Sequence, residues 1–211
     1  MRGKAGSGYG WGVNDIVYPV TQSKTVGGKS KQVWICPYYK TWRSMLCRCL
    51  SDNYKSSYET YKECSVVEDW KYLSNFVKWV DSQPNKDWKI CALDKDILFR
   101  DNKIYSPETC IFTTANINRF VIDSNKTRGQ FLLGVCPNRS GSRNAYQVYC
   151  NNPYTRKQEY LGVFNDELKA HKIWQAKKHE YACLLAHEQT DSRLANALKE
   201  RYARDKDWTN K

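Results

Sequence analysis

Histidine is scarce in this chain: there are three in 211 residues, and none precedes His171. Imidazole ligands and imidazole general bases are therefore excluded from the first 170 residues. No apolar run is long enough to cross a bilayer, so no membrane association is expected. The N-terminus, MRGKAGSGYGWG, lacks a hydrophobic segment of the secretory kind. Nine cysteines are an odd number and cannot all pair within one chain. They are read as reduced thiols, which places the protein in the cytoplasm. Cys47 and Cys49 are close, but Cys-x-Cys is not a zinc-knuckle spacing and no second close pair follows. There is no repeat of solenoid length and no low-complexity block. The mean hydropathy of -0.76 is strongly polar. Yet 8 Trp, 15 Tyr and 6 Phe set the chain apart from disordered sequences, which are poor in aromatics.

What the chain has is positive charge: 34 Lys+Arg stand against 22 Asp+Glu, a net +12. Such a field concentrates polyanions, and nucleic acid is the commonest polyanion for a basic, aromatic-rich chain. Charge alone does not separate DNA from RNA.

Along the chain, residues 1–33 read as an extended arm. Residues 37–50 carry Tyr38, Trp42, Met45, Leu46 and Cys49 at helical spacing, with Arg43 and Arg48 on the other face. A polar, tyrosine-rich loop follows. Residues 67–81 read as one helix through Trp70, Leu73, Phe76, Val77 and Val80, ended by Pro84 and Asn85. Residues 88–93 alternate as a strand. A linker is expected at 123–129, then strands at 131–137, 145–150 and 159–164, and a long helix capped by Asn165. The tail after it reads as a further helix.

From Lys126 to Lys178 ten basic residues face only Glu159, Asp166 and Glu167. The arginines cluster in the strands and their turns, where guanidinium could grip phosphates or guanine edges. Tyr146, Tyr149 and Tyr160 are interleaved with them. The run R-G-x-F-x-x-G-V (Arg128 to Val135), Tyr146, L-G-x-F (Leu161 to Phe164), Glu167, Ala170 and Ala176 resembles the AP-two-type DNA-binding domain of plant ethylene-response factors. The resemblance covers about 50 residues and implies a three-stranded antiparallel sheet in the major groove, backed by one helix. It further implies that Arg128, Arg139, Arg143, Tyr146, Arg156, Lys157 and Tyr160 approach DNA, and that Gly134, Leu161, Gly162, Phe164, Ala170 and Trp174 build the fold. Cys136 departs from the family, which usually has Arg there.

The central segment resembles a second family. Tyr39, Trp42, Met45, Arg48 and Cys49 open the pattern; Trp70, Leu73 and Phe76 follow; LDKD, NKIYSPETC and Asn118 complete it. The order is similar to that of phage HNH endonucleases. The implied fold is two antiparallel strands and a helix around one divalent metal, Mg²⁺ or Mn²⁺. By resemblance, Asp94 and Thr109 would be metal ligands, and Asp94, Lys95, Asp96 and Asn118 the catalytic set. Arg43 and Arg48 would face DNA. Two positions depart from the pattern. Lys95 stands where active members often carry the histidine base, and Thr109 where they carry Asn. The base would then be Asp96, Tyr105, Glu108 or a metal-bound hydroxide. His171, His179 and His187 sit eight residues apart and share no helix face.

The expected fold is therefore α+β: an N-terminal arm (1–33), an HNH-like module with N-terminal helices (34–122) and an AP-two-like domain with a C-terminal helix (123–211). The expected function is metal-dependent, site-specific cleavage or nicking of double-stranded DNA by a homing-type endonuclease, a monomer in a phage host's cytoplasm. The alternative is a DNA-binding protein with a degenerate nuclease module.

Overall fold

A computed structural model of the chain describes residues 9–122, 130–138 and 145–203. Those residues form a mixed α+β structure with six α-helices and four small sheets. The chain divides into two compact units, Met1–Phe112 and Thr113–Lys211.

The arm expected at the N-terminus is only partly an arm. Trp11, Ile16 and Val20 pack against the core of the first unit. At Gly12 there is no room for a side chain: a Cβ would lie 2.5 Å from Leu46 and 2.7 Å from Trp42. The segment is pinned by Val13, whose N–H donates to the Lys71 carbonyl at 2.8 Å and whose carbonyl accepts from Leu73 N at 3.0 Å. Beyond it, β1 (Thr21–Val26) and β2 (Lys29–Ile35) form an antiparallel ribbon.

Helix α1 (Pro37–Leu50) begins with Pro37 in its first turn, where a missing N–H costs nothing. Tyr39, Trp42, Met45, Leu46 and Cys49 are buried at helical spacing. Tyr39 takes the inward place expected for Tyr38; the Tyr38 hydroxyl instead donates to Asp81 Oδ1 at 2.5 Å. The buried Trp42 indole keeps a partner by donating Nε1–H to the Trp70 carbonyl at 2.7 Å. The tyrosine-rich loop contains a helix, α2 (Asp52–Ser57), because the Ser51 hydroxyl accepts from Tyr54 N and caps it.

A short strand, β3 (Ser65–Val66), precedes a 3₁₀ turn (Glu68–Lys71) and helix α3 (Leu73–Ser82). The single helix expected over 67–81 is thus broken at Tyr72, held extended by a parallel bridge to Val13. Around Trp70, the rings of Phe76, Trp79, Phe112 and Trp88 follow one another at 4.8–5.8 Å. The strand expected at 88–93 is corrected too. Trp88–Ile90 makes a 3₁₀ turn that buries Trp88 and leaves Ile90 exposed, and only Ala92–Asp94 forms strand β4. β4 pairs with β6 (Ile111–Thr113), while β5 (Ile104–Tyr105) pairs in parallel with β3.

The second unit opens with helix α4 (Ala115–Val121), capped by the Thr114 hydroxyl. The helix belongs to this unit through Phe120, edge-on to Tyr202 at 5.7 Å. The Phe120 carbonyl also accepts from buried Lys178 Nζ at 2.7 Å. Strands β7 (Val135–Pro137), β8 (Tyr146–Asn151) and β9 (Gln158–Phe164) form the expected three-stranded antiparallel sheet, with the first strand confined to the last three residues of the expected 131–137 and a turn before it. Helix α5 (Glu167–His187) packs across all three strands. Its cap is Asp166 rather than Asn165; the Asp166 carboxylate accepts from Lys169 N at 2.6 Å. Gly134 has φ +77°, and a Cβ there would meet Trp174 at 2.0 Å, so sheet and helix approach closely only because this residue is glycine. Helix α6 (Ser192–Arg201) covers the rest of α5. Among the described residues, no helix is long and apolar enough to cross a membrane.

Candidate active site and nucleic-acid interface

The LDKD segment ends β4 and turns into a loop that returns at Ile104. Asp94 Oδ1 accepts from Asp96 N at 2.9 Å and Ile97 N at 2.8 Å, so the carboxylate closes its own turn. Burial and the adjacent Asp96 carboxylate push the Asp94 carboxyl up to about 6. Lys95 is buried, and its ammonium donates to Asp96 Oδ2 at 3.2 Å and to the Asn102 carbonyl at 2.9 Å. Asn102 completes the loop from the other side, donating Nδ2–H to the Lys95 and Ile104 carbonyls, both at 2.7 Å. Lys95 is thereby a tie across the loop's neck.

The other expected chemistry-bearing residues are also engaged. Thr109 Oγ1 donates to the Ile104 carbonyl at 2.7 Å and accepts from Ser106 N at 3.2 Å. The Tyr105 phenol accepts from Arg48 Nη1 at 3.2 Å, and burial pushes its pKa above that of an ordinary phenol. Glu108 is exposed and held below the usual carboxylate range by Ser106. Asn118 lies on α4, in the second compact unit, whereas Asp94, Lys95, Asp96 and Thr109 lie in the first. A hard divalent cation takes six or more oxygen ligands. Among the described residues no group of three or more His, Cys, Asp or Glu is gathered to begin such a shell. The Thr109 hydroxyl is spent on backbone, and a lysine sits on the neighbouring carboxylate. Of the two residues expected to hold Mg²⁺ or Mn²⁺, Thr109 is engaged by backbone, which leaves Asp94 as the protein ligand beside water and substrate phosphate.

The histidines occupy three different surroundings. His171 is buried with Nδ1 2.9 Å from the Leu133 carbonyl, His179 lies 3.6 Å from Cys183 Sγ, and His187 is exposed. Of the two arginines on α1, Arg43 is exposed, beside a hollow of about 270 Å³ lined in part by Tyr9, Lys40 and Cys47. Arg48 points inward, with its guanidinium 5.7 Å from the Tyr61 ring and bonded to Tyr105.

In the three-stranded sheet, alternation settles which side chains share a face. Val148 and Cys150 are buried, 0% and 1% exposed, on the side of α5. Gln147 and Tyr149 therefore point to the opposite face, and Tyr146 does not: it shares the face of Val148, its ring 6.1 Å from Phe131. On β9 the register shifts at Leu161, so Tyr149 opposes Tyr160 and Cys150 opposes Glu159. Glu159 accepts from the Tyr181 hydroxyl of α5 at 2.5 Å, which fixes it inward. Tyr160, 57% exposed, lies outward with its ring 5.5 Å from Tyr149. The turn between β8 and β9 is built on Asn152, whose Oδ1 accepts from Tyr154 N and Thr155 N. It presents Arg156 and Lys157 to solvent, Arg156 at φ +59°. The Arg128, Arg139 and Arg143 expected at DNA lie outside the described residues.

The open face is thus Gln147, Tyr149 and Tyr160 with the Arg156–Lys157 turn. Gln147 was not singled out from the sequence. Its signal was the phase of the alternation, which the apolar pair Val148 and Cys150 could have set. Compared with known protein families, curated proteins and solved structures, the chain matches none.

Proposed function

We propose that the chain binds double-stranded DNA through the open face of β7–β8–β9, and that the HNH-like segment serves it as scaffold. The observation that carries this is the two-faced sheet. One side is sealed by α5, and the other offers Gln147, Tyr149 and exposed Tyr160, flanked by the basic Arg156–Lys157 turn. A sheet face of this kind can lie in a major groove, with Gln reading adenine edges, tyrosines against sugars and thymine methyls, and the turn on phosphates. The net charge of +12 supports a polyanionic partner. Two unlike units in one chain suit an asymmetric site read by a monomer, and the proposed compartment is the cytoplasm.

The test is fluorescence anisotropy on duplex DNA from the flanking genomic sequence, across a salt series. Arg156→Gln with Lys157→Gln should reduce the slope of log affinity against log salt by about 2, near 0.9 per lost phosphate contact. Tyr160→Ala should weaken binding with little change in slope. An unaltered affinity in both variants removes the sheet from the interface.

The second reading is metal-dependent DNA cleavage. Its one favouring observation is the pair of adjacent carboxylates, Asp94 and Asp96, with Asp94 raised toward neutrality. Incubation with the same DNA, in Mg²⁺ or Mn²⁺ against EDTA, decides it. Nicking at one locus that is lost in Asp94→Ala establishes a nuclease, and binding without cleavage in either metal eliminates one.

A further inference from the structure

The β1–β2 ribbon is unusual in where its side chains go. Every residue from Thr21 to Trp34 that lies in a strand is exposed, on both faces. The connection is the two-residue Gly27-Gly28 turn, both at positive φ (+58° and +75°), the turn whose twist suits a tight hairpin. The registry then decides the chemistry. Lys24 stands opposite Lys31, and Val26 opposite Lys29. By alternation Lys24, Lys29 and Lys31 share one face, while Ser23, Thr25, Ser30 and Gln32 share the other. Like charges directly opposite destabilise a strand pair, and a two-stranded ribbon on its own is marginal in water. Among the described residues no acidic side chain pairs with the three lysines. Residues 16–51 hold six basic residues and no Asp or Glu.

We infer that the lysine face of this ribbon is a second nucleic-acid contact, laid along the phosphate backbone of duplex DNA. A phosphate chain supplies the repeated negative charge that a Lys24–Lys31 pair needs, and a two-stranded ribbon fits a major groove. Because the three lysines are set on phosphates rather than on base edges, the ribbon adds affinity and salt dependence rather than sequence preference. The partner is the same as in the proposed function, so the inference rests on that reading.

The test uses the full chain and a duplex of arbitrary sequence. The variant Lys24→Gln/Lys29→Gln/Lys31→Gln should lower the salt slope by 2 to 3, on the order of 0.9 per contact, with affinity for arbitrary and flanking genomic duplexes falling alike. Its melting temperature without DNA should equal or exceed that of the parent, because the Lys24–Lys31 repulsion is gone. The triple Lys→Arg variant should retain the parent slope. If the parent binds DNA and the Gln variant keeps its slope, the ribbon inference falls and the sheet reading stands. If the parent binds no duplex at all, both fall. Vesicles of anionic phospholipid provide the remaining arm: binding to them that needs the three lysines, with DNA binding unaffected by their loss, assigns the ribbon to a membrane surface and overturns the inference.

Discussion

The Asp94 carboxylate accepts two N–H groups of its own turn, yet burial and Asp96 hold its pKa up at about 6. A carboxyl raised in the folded state keeps its proton to higher pH than in the unfolded chain. Stability therefore falls as pH rises from about 4, where the unfolded group ionises, to about 6, and stays lower above that. Asparagine keeps an oxygen acceptor for Asp96 N and Ile97 N without the charge. Asp94→Asn should melt at the parent's temperature at pH 4 and above it at pH 7.5, as read by thermal denaturation at both values. The same locality shows why motif residues in sequence are not yet a site. L-D-K-D and N-K-I-Y are visible as a pattern. What they do depends on the carbonyls of Asn102, Ile104 and Lys95, which no side-chain pattern announces.

At the scale of elements, α1 was legible because Trp42, Met45, Leu46 and Cys49 recur on one face, although the tyrosine that joins them is Tyr39 rather than Tyr38. The break between the 3₁₀ turn and α3 was not, since Tyr72 is held extended by Val13, 59 residues away, and helical periodicity runs straight through it. The alternating Trp88 and Ile90 misled in the same way, because a buried Trp followed by an exposed Ile satisfies a turn as well as a strand. In the second unit the sheet and helix were legible from β-branched and aromatic runs between turn residues. The facing of β9 was obscured by the extra residue at Leu161. Gly134 is where sheet and helix meet most closely. Gly134→Ala would place a Cβ into the Trp174 ring at a positive φ, and should cost about 3 kcal/mol in urea denaturation. Full recovery in a double variant with a smaller residue at 174 is not expected, because the φ strain remains.

For the whole molecule, composition motivates the proposed partner class and is the least informative about chemistry. The charge of +12 pointed to a polyanion, but where that charge is presented emerges only from the strand register and the turn geometry. Burial is distributed just as unevenly. Trp42, Leu46 and Phe76 are 0% exposed, while the ribbon of Thr21–Ile35 has hardly any side chain out of water. Such a ribbon opens without the core opening. Its amide protons should therefore exchange with solvent deuterium through local fluctuation, with protection far below that of α1 and α3 and insensitive to denaturant well short of the unfolding midpoint. The slowest-exchanging amides of the first unit then report the stability of its aromatic core, and those of the ribbon report only the hairpin's own weak equilibrium between closed and open.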